Sequence, residues 1–238
     1  MIEVGIRPDM KLIEFENPSA LDTALVIKVT ELLIDTINKR GSASLVVSGG
    51  RTPLAFFHLL SQQVLDWSKV VVTLADERWV DADHGDSNEK LVRENLLINE
   101  AHTAAFIPLK NAAMDAAEGE IQTESDIEQM GQFTVVILGM GDDGHTASLF
   151  PGAETLALGL DMNSGRSAIA VTPTAAPHQR MTLTLPRLLN SQQIIIHISG
   201  AGKQAVLKAA QAGEDITELP IRAMLNQQVA PLSIFWAK

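Results

Sequence analysis

No cysteine occurs among the 238 residues. Disulfides, thiolate nucleophiles and cysteine-ligated zinc are thereby excluded. Positive charge is scarce: 18 Lys and Arg stand against 29 Asp and Glu, a formal net charge of −11. Binding to nucleic acid or to an anionic membrane rests on clustered Lys and Arg, so both are poor partners for this chain. A small anionic ligand stays compatible, provided the few basic residues gather in one place against the global field. No apolar run approaches the about 18 residues of a membrane span, and Met1 to Pro8 lack the apolar core of a signal peptide. A cytoplasmic protein is expected. No repeat, low-complexity tract or clear linker interrupts the chain, and one domain over 1–238 is expected. With 46% hydrophobic and 20% charged residues, the chain can bury a core and is not disordered.

What is present is an alternation of short apolar runs with amphipathic stretches. Lys11–Glu16, Ser44–Val47, Val70–Leu74, Phe133–Leu138, Ala168–Thr172, Met181–Leu185, Gln193–Ile198 and Leu232–Trp236 read as strands. Ser19–Lys39 carries Leu21, Leu25, Val29, Leu32 and Leu33 at helical spacing, and Gly41 suits its stop. Further helices are expected from Thr52, with Thr52 as N-cap and Pro53 as first residue, around Ser87–Leu97 and Ala116–Gln129, and over Ala201–Gln211. Gly159–Gly165 reads as a surface loop. Strands alternating with helices imply an α/β protein with a doubly wound, mainly parallel sheet and helices on both faces. Four polar or glycine-rich segments follow strands: Ser48–Arg51, Asp76–Arg78, Gly139–His145 and Ser199–Lys203. In an open parallel sheet the carboxyl ends of the strands share one edge, where ligands bind. The four segments are expected to converge there.

The most informative stretch is Gly139-Met-Gly-Asp-Asp-Gly-His-Thr-Ala-Ser-Leu-Phe-Pro151. Its glycines force a tight turn after a buried strand, and His145 is placed where a new helix would start. An imidazole titrates close to neutrality, which suits acid–base chemistry. Asp143, two residues before it, is placed to accept from one ring nitrogen and leave the other free as a base. A histidine that only caps the turn is the alternative. Gly139, Gly141 and Gly144 match G-x-G-x-x-G formally, but the adjacent acids would repel a pyrophosphate and no acidic residue ends a strand about 20 positions on. Gly200-Ala-Gly-Lys203 is not a Walker loop, since His197 and Gln204 stand where glycine and Ser/Thr are required.

Ser48-Gly49-Gly50-Arg51-Thr52-Pro53 is either a phosphate-holding strand–helix junction or a plain tight turn. Arg78 lies near a strand end, where it can clamp a carboxylate or phosphate. Arg180 opens a strand, and Lys203 falls in a first helical turn, where a cation is disfavoured unless an anion binds beside it. Asp81-Ala-Asp-His-Gly-Asp86 fails the calcium-loop template, with glycine at the wrong place and Val92 where Glu is needed. It reads as a solvated acidic loop. His58, His84, His102, His178 and His197 are taken as surface, helix or strand residues without a carboxylate setting like that of His145.

These motifs together resemble the 6-phosphogluconolactonase family. The resemblance rests on Ser48–Pro53, Asp76-Glu-Arg-Trp-Val80 with Asp86-Ser-Asn88, Gly139–Pro151, Arg180-Met-Thr-Leu-Thr184, and Ile198-Ser-Gly200 with Lys203, in the family's order. It implies a Rossmann-like fold shared with glucosamine-6-phosphate deaminases and ribose-5-phosphate isomerase-type proteins. It also implies hydrolysis of 6-phospho-D-glucono-1,5-lactone, a step of the oxidative pentose phosphate pathway, without metal or cofactor. A monomer or weak homo-oligomer is expected. His145 is then the general base and Asp143 its orienting partner. Arg78, Arg180 and Lys203 surround the phosphate or the developing charge, while Asp76 and the Ser48, Gly49, Gly50 and Arg51 loop line the substrate. Two other functions share the architecture. A glucosamine-6-phosphate deaminase carries a carboxylate shortly after the histidine, where this chain has Thr146-Ala-Ser-Leu-Phe150. A sugar-phosphate sensor is normally fused to a helix-turn-helix, for which this chain has no spare basic domain.

Overall fold

The computed structural model describes residues 2–7, 10–174 and 176–238, with side chains from residue 10 onward. The segment Met1 to Pro8, expected to carry no leader core, lies partly outside them. The strands are β1 (Ile2–Arg7), β2 (Met10–Phe15), β3 (Ala43–Val47), β4 (Val70–Leu74), β5 (Asp76–Arg78), β6 (Ala105–Ile107), β7 (Phe133–Leu138), β8 (Ala168–Val171), β9 (Arg180–Leu183), β10 (Ser191–Ser199) and β11 (Leu232–Ala237). The α-helices are α1 (Pro18–Arg40), α2 (Leu54–Ser61), α3 (Asn88–Asn95), α4 (Ala116–Glu128), α5 (Leu156–Leu160), α6 (Leu185–Leu189), α7 (Ala201–Gln211) and α8 (Ile221–Asn226).

The main sheet has eight strands in the order β1-β2-β11-β10-β7-β3-β4-β6. All its pairings are parallel except β1 with β2, as the sequence pattern implies. Every residue of β3 and β7 is buried, so both faces of the centre are covered. That is why these strands read as near-continuous apolar runs, interrupted only by Ser44 and Thr134, rather than alternating ones. Val46, Val136, Leu138 and Ile195 are fully enclosed, and each such side chain contributes about 1.5–3 kcal/mol by leaving water. Helix α1 packs along β2, β11, β7 and β3. The Asn17 side chain accepts from Ala20 N (2.9 Å) to cap it, and Gly41 at φ 84° closes it.

The strand order reverses between β3 and β7. From β3 the chain moves outward to β4 and β6; it then returns to the other side of β3 with β7, β10 and β11. Ligand crevices form at such a reversal, beyond the carboxyl ends of the strands. Here those ends carry Ser48 and Gly139, tied together by Ser48 N donating to Ile137 O (3.1 Å) and Gly139 N to Ser48 Oγ (3.4 Å).

A second, antiparallel sheet, β5-β9-β8, was not evident from the sequence. Ala75 alone separates β4 from β5, so one strand run of the sequence feeds two sheets. Leu183 N donates to Ala75 O (2.9 Å) and Ala75 N to Val47 O (2.8 Å), bonding the layers at that step. Helix α4 packs on β8 and β9.

Three local expectations are corrected. No helix starts at His145: the chain from Gly139 to Gly152 is a series of turns, and the next helix is α5. The turn is held instead by Gly141 N to His145 O (2.8 Å) and Gly144 N to Gly141 O (3.2 Å). Helix α2 begins at Leu54, with Pro53 at the cap position and no side-chain cap, so Thr52 is not its N-cap. Gly159 and Leu160 belong to α5 and are buried; only the stretch after them is a surface loop.

Candidate active site

The four strand-end segments do converge. They surround a cleft of about 320 Å³ lined by Ser48, Gly49, Gly50, Asp76, Arg78, His145, Arg180 and Lys203 among others. Arg51 is exposed and does not line it. Asp143 borders an adjoining hollow shared with His145 and Phe150.

His145 Nδ1 lies 2.5 Å from Asp143 Oδ1, and the same carboxylate oxygen accepts from His145 N at 3.2 Å. A carboxylate only accepts, so Nδ1 carries the proton and Nε2 presents its lone pair. Nε2 has no partner among the described residues. The ring lies 4.3 Å from the Phe150 ring, centroid to centroid. Gly141 is required by this arrangement: a Cβ there would sit 2.1 Å from His145 Nδ1 and 2.5 Å from Asp143 Oδ1. Gly141→Ala should therefore displace the imidazole and cut turnover on the order of 10²-fold, the cost of a misplacement of about 1 Å. Initial rates on a variant with an unchanged circular dichroism spectrum test this. Ala147, in the same turn, adopts φ 49°, a conformation that costs a non-glycine residue about 1–3 kcal/mol and is common at functional sites.

Arg78 and Arg180 face each other across the β5–β9 pair. Like charges directly opposite in a sheet are destabilising. Arg180 is 6% exposed. Burial pulls its guanidinium below the ordinary arginine range, the neighbouring Arg78 charge adds to this, and Asp76 opposes it. Its Nη2 donates to Pro177 O (3.2 Å), while Nε is buried without a partner. Arg78 Nη1 donates to Asp86 O, and its Nε is likewise unpartnered. The Arg180 guanidinium also lies 5.9 Å from the Phe150 ring centre. Two arginines with unspent donors at one place have the chemistry to bind a doubly charged, many-acceptor group.

Lys203 Nζ, at the start of α7, is 2.6 Å from Asp142 Oδ1. Lys203 holds the Asp142 carboxyl below the usual carboxylate range. The sequence reading saw Asp142 only as an acid that repels phosphate. The structure gives it a cation to face, across 61 positions in the chain.

Residues given no role in the sequence reading, Ser148, Thr182 and Asn88, brace the cleft around Asp76 and Gly49. Asp76 Oδ2 accepts from Ser148 Oγ (2.6 Å), and Ser148 N donates to Thr182 Oγ1 (3.1 Å), so the histidine loop is fastened to the small sheet. Asn88 Nδ2 donates to Asp76 O (2.8 Å). A Cβ on Gly49 would lie 1.8 Å from Asn88 Oδ1, which explains that glycine by close approach.

Glu77, buried at 1% exposure, accepts from Arg78 N (2.7 Å), Asn88 N (2.8 Å), Glu89 N (2.7 Å) and Ser87 Oγ (3.1 Å). Burial pushes its carboxyl above the usual range, against the pull of the backbone donors. It folds the loop after Arg78 back onto α3. Glu77→Gln puts an amide N–H₂ against two of those donors. It should cost about 1–3 kcal/mol, a fall in Tm of about 2–4 °C for each kcal/mol, readable by thermal melting.

The remaining histidines are not all without acids. His197 Nε2 lies 3.3 Å from Asp22 Oδ1 in the interior. His84 and His178 both meet Asp86, so the segment expected to be only a solvated acidic loop is exposed but not unstructured.

A doubly wound sheet with a cleft at its reversal point places the chain among the α/β proteins that bind ligands beyond the carboxyl ends of their strands, and here that cleft carries an imidazole and an arginine pair. The fold is shared with a monomeric glucosamine-6-phosphate deaminase, at TM-score 0.79 and 17% identity over 95% of this chain and 97% of that one. The family model described as glucosamine-6-phosphate isomerases/6-phosphogluconolactonase matches residues 16–236, and the chain belongs to that family. It is 46% identical to a 6-phosphogluconolactonase of Rhizobium meliloti over 94% of this chain and 97% of the relative. A crystal structure of a 6-phosphogluconolactonase from Shewanella baltica superposes with TM-score 0.93 at 45% identity, covering 95% and 97% of the two chains. Among the described residues no helix is long and apolar enough to cross a membrane.

Proposed function

We propose that this chain hydrolyses 6-phospho-D-glucono-1,5-lactone to 6-phospho-D-gluconate as a cytoplasmic enzyme of the oxidative pentose phosphate pathway. The observation that carries the reading is the facing pair Arg78 and Arg180, opening on the same cleft as the His145–Asp143 dyad. Both His145 and Arg180 reach the Phe150 ring. A substrate with an electrophilic ring carbonyl and a remote dianion matches that arrangement.

A six-membered lactone is an activated ester, so the protein has to position a water, take its proton and stabilise the oxyanion. His145 Nε2 removes a proton from water as the oxygen attacks C1. Asp143 holds the ring and stabilises the imidazolium. The tetrahedral intermediate collapses by breaking the bond between C1 and the ring oxygen, which takes the proton back from His145. The free acid then ionises. Phosphate binding at Arg78 and Arg180 supplies orientation energy remote from the reacting carbon.

Within the family, a deaminase needs a carboxylate shortly after the histidine. Here Thr146 Oγ1 donates to Gly139 O (2.9 Å) and Ser148 to Asp76, and no acid stands between Thr146 and Phe150. Lactone disappearance, corrected for spontaneous ring opening, tests the proposal. Ammonia release from glucosamine 6-phosphate with no gain in lactone hydrolysis would replace it by the deaminase reading.

A further inference from the structure

The loop between β5 and α3 meets the loop before β9 through three side chains outside the cleft lining. His178 Nε2 lies 3.0 Å from Asp86 Oδ2, and His84 Nδ1 lies 3.9 Å from the same oxygen. The two imidazole rings are 5.5 Å apart, edge to face. One donor atom from each of the three residues falls within 4.8 Å of the other two. We propose that His84, Asp86 and His178 form a binding site for a divalent transition-metal ion of the zinc class, distinct from the groups that act on the lactone.

The donor chemistry selects the ion. Two imidazole nitrogens and one carboxylate oxygen suit zinc, with room for water as a fourth ligand, and are a poor set for calcium or magnesium, which take mostly oxygen. A tetrahedral ion with bonds of about 2.0–2.1 Å places its donors roughly 3.4 Å apart. The two pairs to Asp86, at 3.0 and 3.9 Å, bracket that spacing, and the two histidine donors lie within 4.8 Å of each other, so binding draws the histidines together. Asp86 N donates to His84 Nδ1 at 3.1 Å, so that nitrogen is unprotonated, and an ion binding there takes the place of this hydrogen bond. The three residues are half-buried to exposed, and an ion reaches them directly from solvent. His178 adopts φ 67°, a left-handed conformation rare outside glycine, which turns its ring toward Asp86.

The site borders the active cleft at one remove. The Asp86 carbonyl oxygen accepts from Arg78 Nη1, so an ion at Asp86 ties the loop that steadies Arg78 to the loop that leads into Arg180. Its role is to fix the rim, not to activate water.

The test uses the full chain, freed of metal with a chelator, and titrated with Zn²⁺ in competition with a chromophoric chelator. One ion per chain is expected. His84→Ala and His178→Ala should each weaken binding about tenfold or more, at least the loss typical of removing a supporting partner. His145→Ala should leave it unchanged, which separates this site from the His145–Asp143 dyad. Co²⁺ should give visible absorption bands of a four-coordinate site, absent in the His84→Ala/His178→Ala double variant. Zn²⁺ should raise Tm in the parent and not in the double variant, whose metal-free Tm matches the parent's. Equal Zn²⁺ affinity in the parent and the double variant overturns the proposal. So does loss of binding in His145→Ala alone, or absence of stoichiometric binding to the parent.

Discussion

Replacing His145 with alanine lowers kcat for lactone hydrolysis by about 10²–10⁴-fold, the usual worth of a positioned general base, and leaves the affinity for 6-phosphogluconate almost unchanged. The separation of the two effects follows from geometry. His145 is bonded to Asp143, while the unspent arginine donors belong to Arg78 and Arg180 on the small sheet. With the proposed roles, removing the imidazole deletes the proton acceptor and spares the arginine pair. Steady-state rates, corrected for uncatalysed ring opening, and calorimetric titration with the product measure the two quantities. A kcat within a factor of a few of the parent would remove His145 from the mechanism. Asp143→Asn, which offers an N–H as well as a carbonyl, should also slow turnover, because the favoured ring tautomer is no longer enforced.

The second large effect is at Arg180. Arg180→Ala should weaken 6-phosphogluconate binding roughly 10–150-fold, the equivalent of about 1.5–3 kcal/mol for hydrogen bonds to a charged group. Gluconate, which lacks the phosphate, should bind parent and variant alike. Arg180 is buried and faces Arg78 in register, so its charge is costly to the empty protein, and a dianion bound there, as proposed, would compensate it. Arg180→Lys should not restore binding, because an ammonium cannot present the planar fork. A parent protein with equal affinity for gluconate and its 6-phosphate would refute this role of Arg180.

The main sheet was legible because its signals are local. Val135, Val136, Ile137 and Leu138 form an apolar run within a strand whose every residue is buried, and a run of that kind marks a central parallel strand. Gly139 to Pro151 was legible for a similar reason: the His145–Asp143 bond spans two residues and needs no knowledge of the fold. The small sheet was legible only in part. Ala168–Thr172 and Met181–Leu185 read as strands and correspond to β8 and β9, but β5 has three residues, too few for periodicity, and nothing local shows that Asp76 pairs with Thr182 across the chain in a separate sheet. The same distance hid the Arg78–Arg180 confrontation, the Lys203–Asp142 pair and the contact of His178 with Asp86, 92 positions apart. His145 was wrongly placed at a helix start because a glycine-rich turn after a strand commonly leads into one. Here the turn closes on itself through Gly141 and His145, and Ser148 is drawn to Asp76 instead of propagating a helix.

Ala75 is a joint with two arms. One arm continues into the layer that bears the imidazole, the other into the layer that bears the paired guanidinium groups, and the backbone bonds at Val47 and Leu183 set the opening between them. On the proposed function, the spacing of these two layers sets the length of substrate that reaches both, and a phosphorylated lactone one carbon shorter is expected to turn over more slowly in a steady-state comparison with the six-carbon substrate.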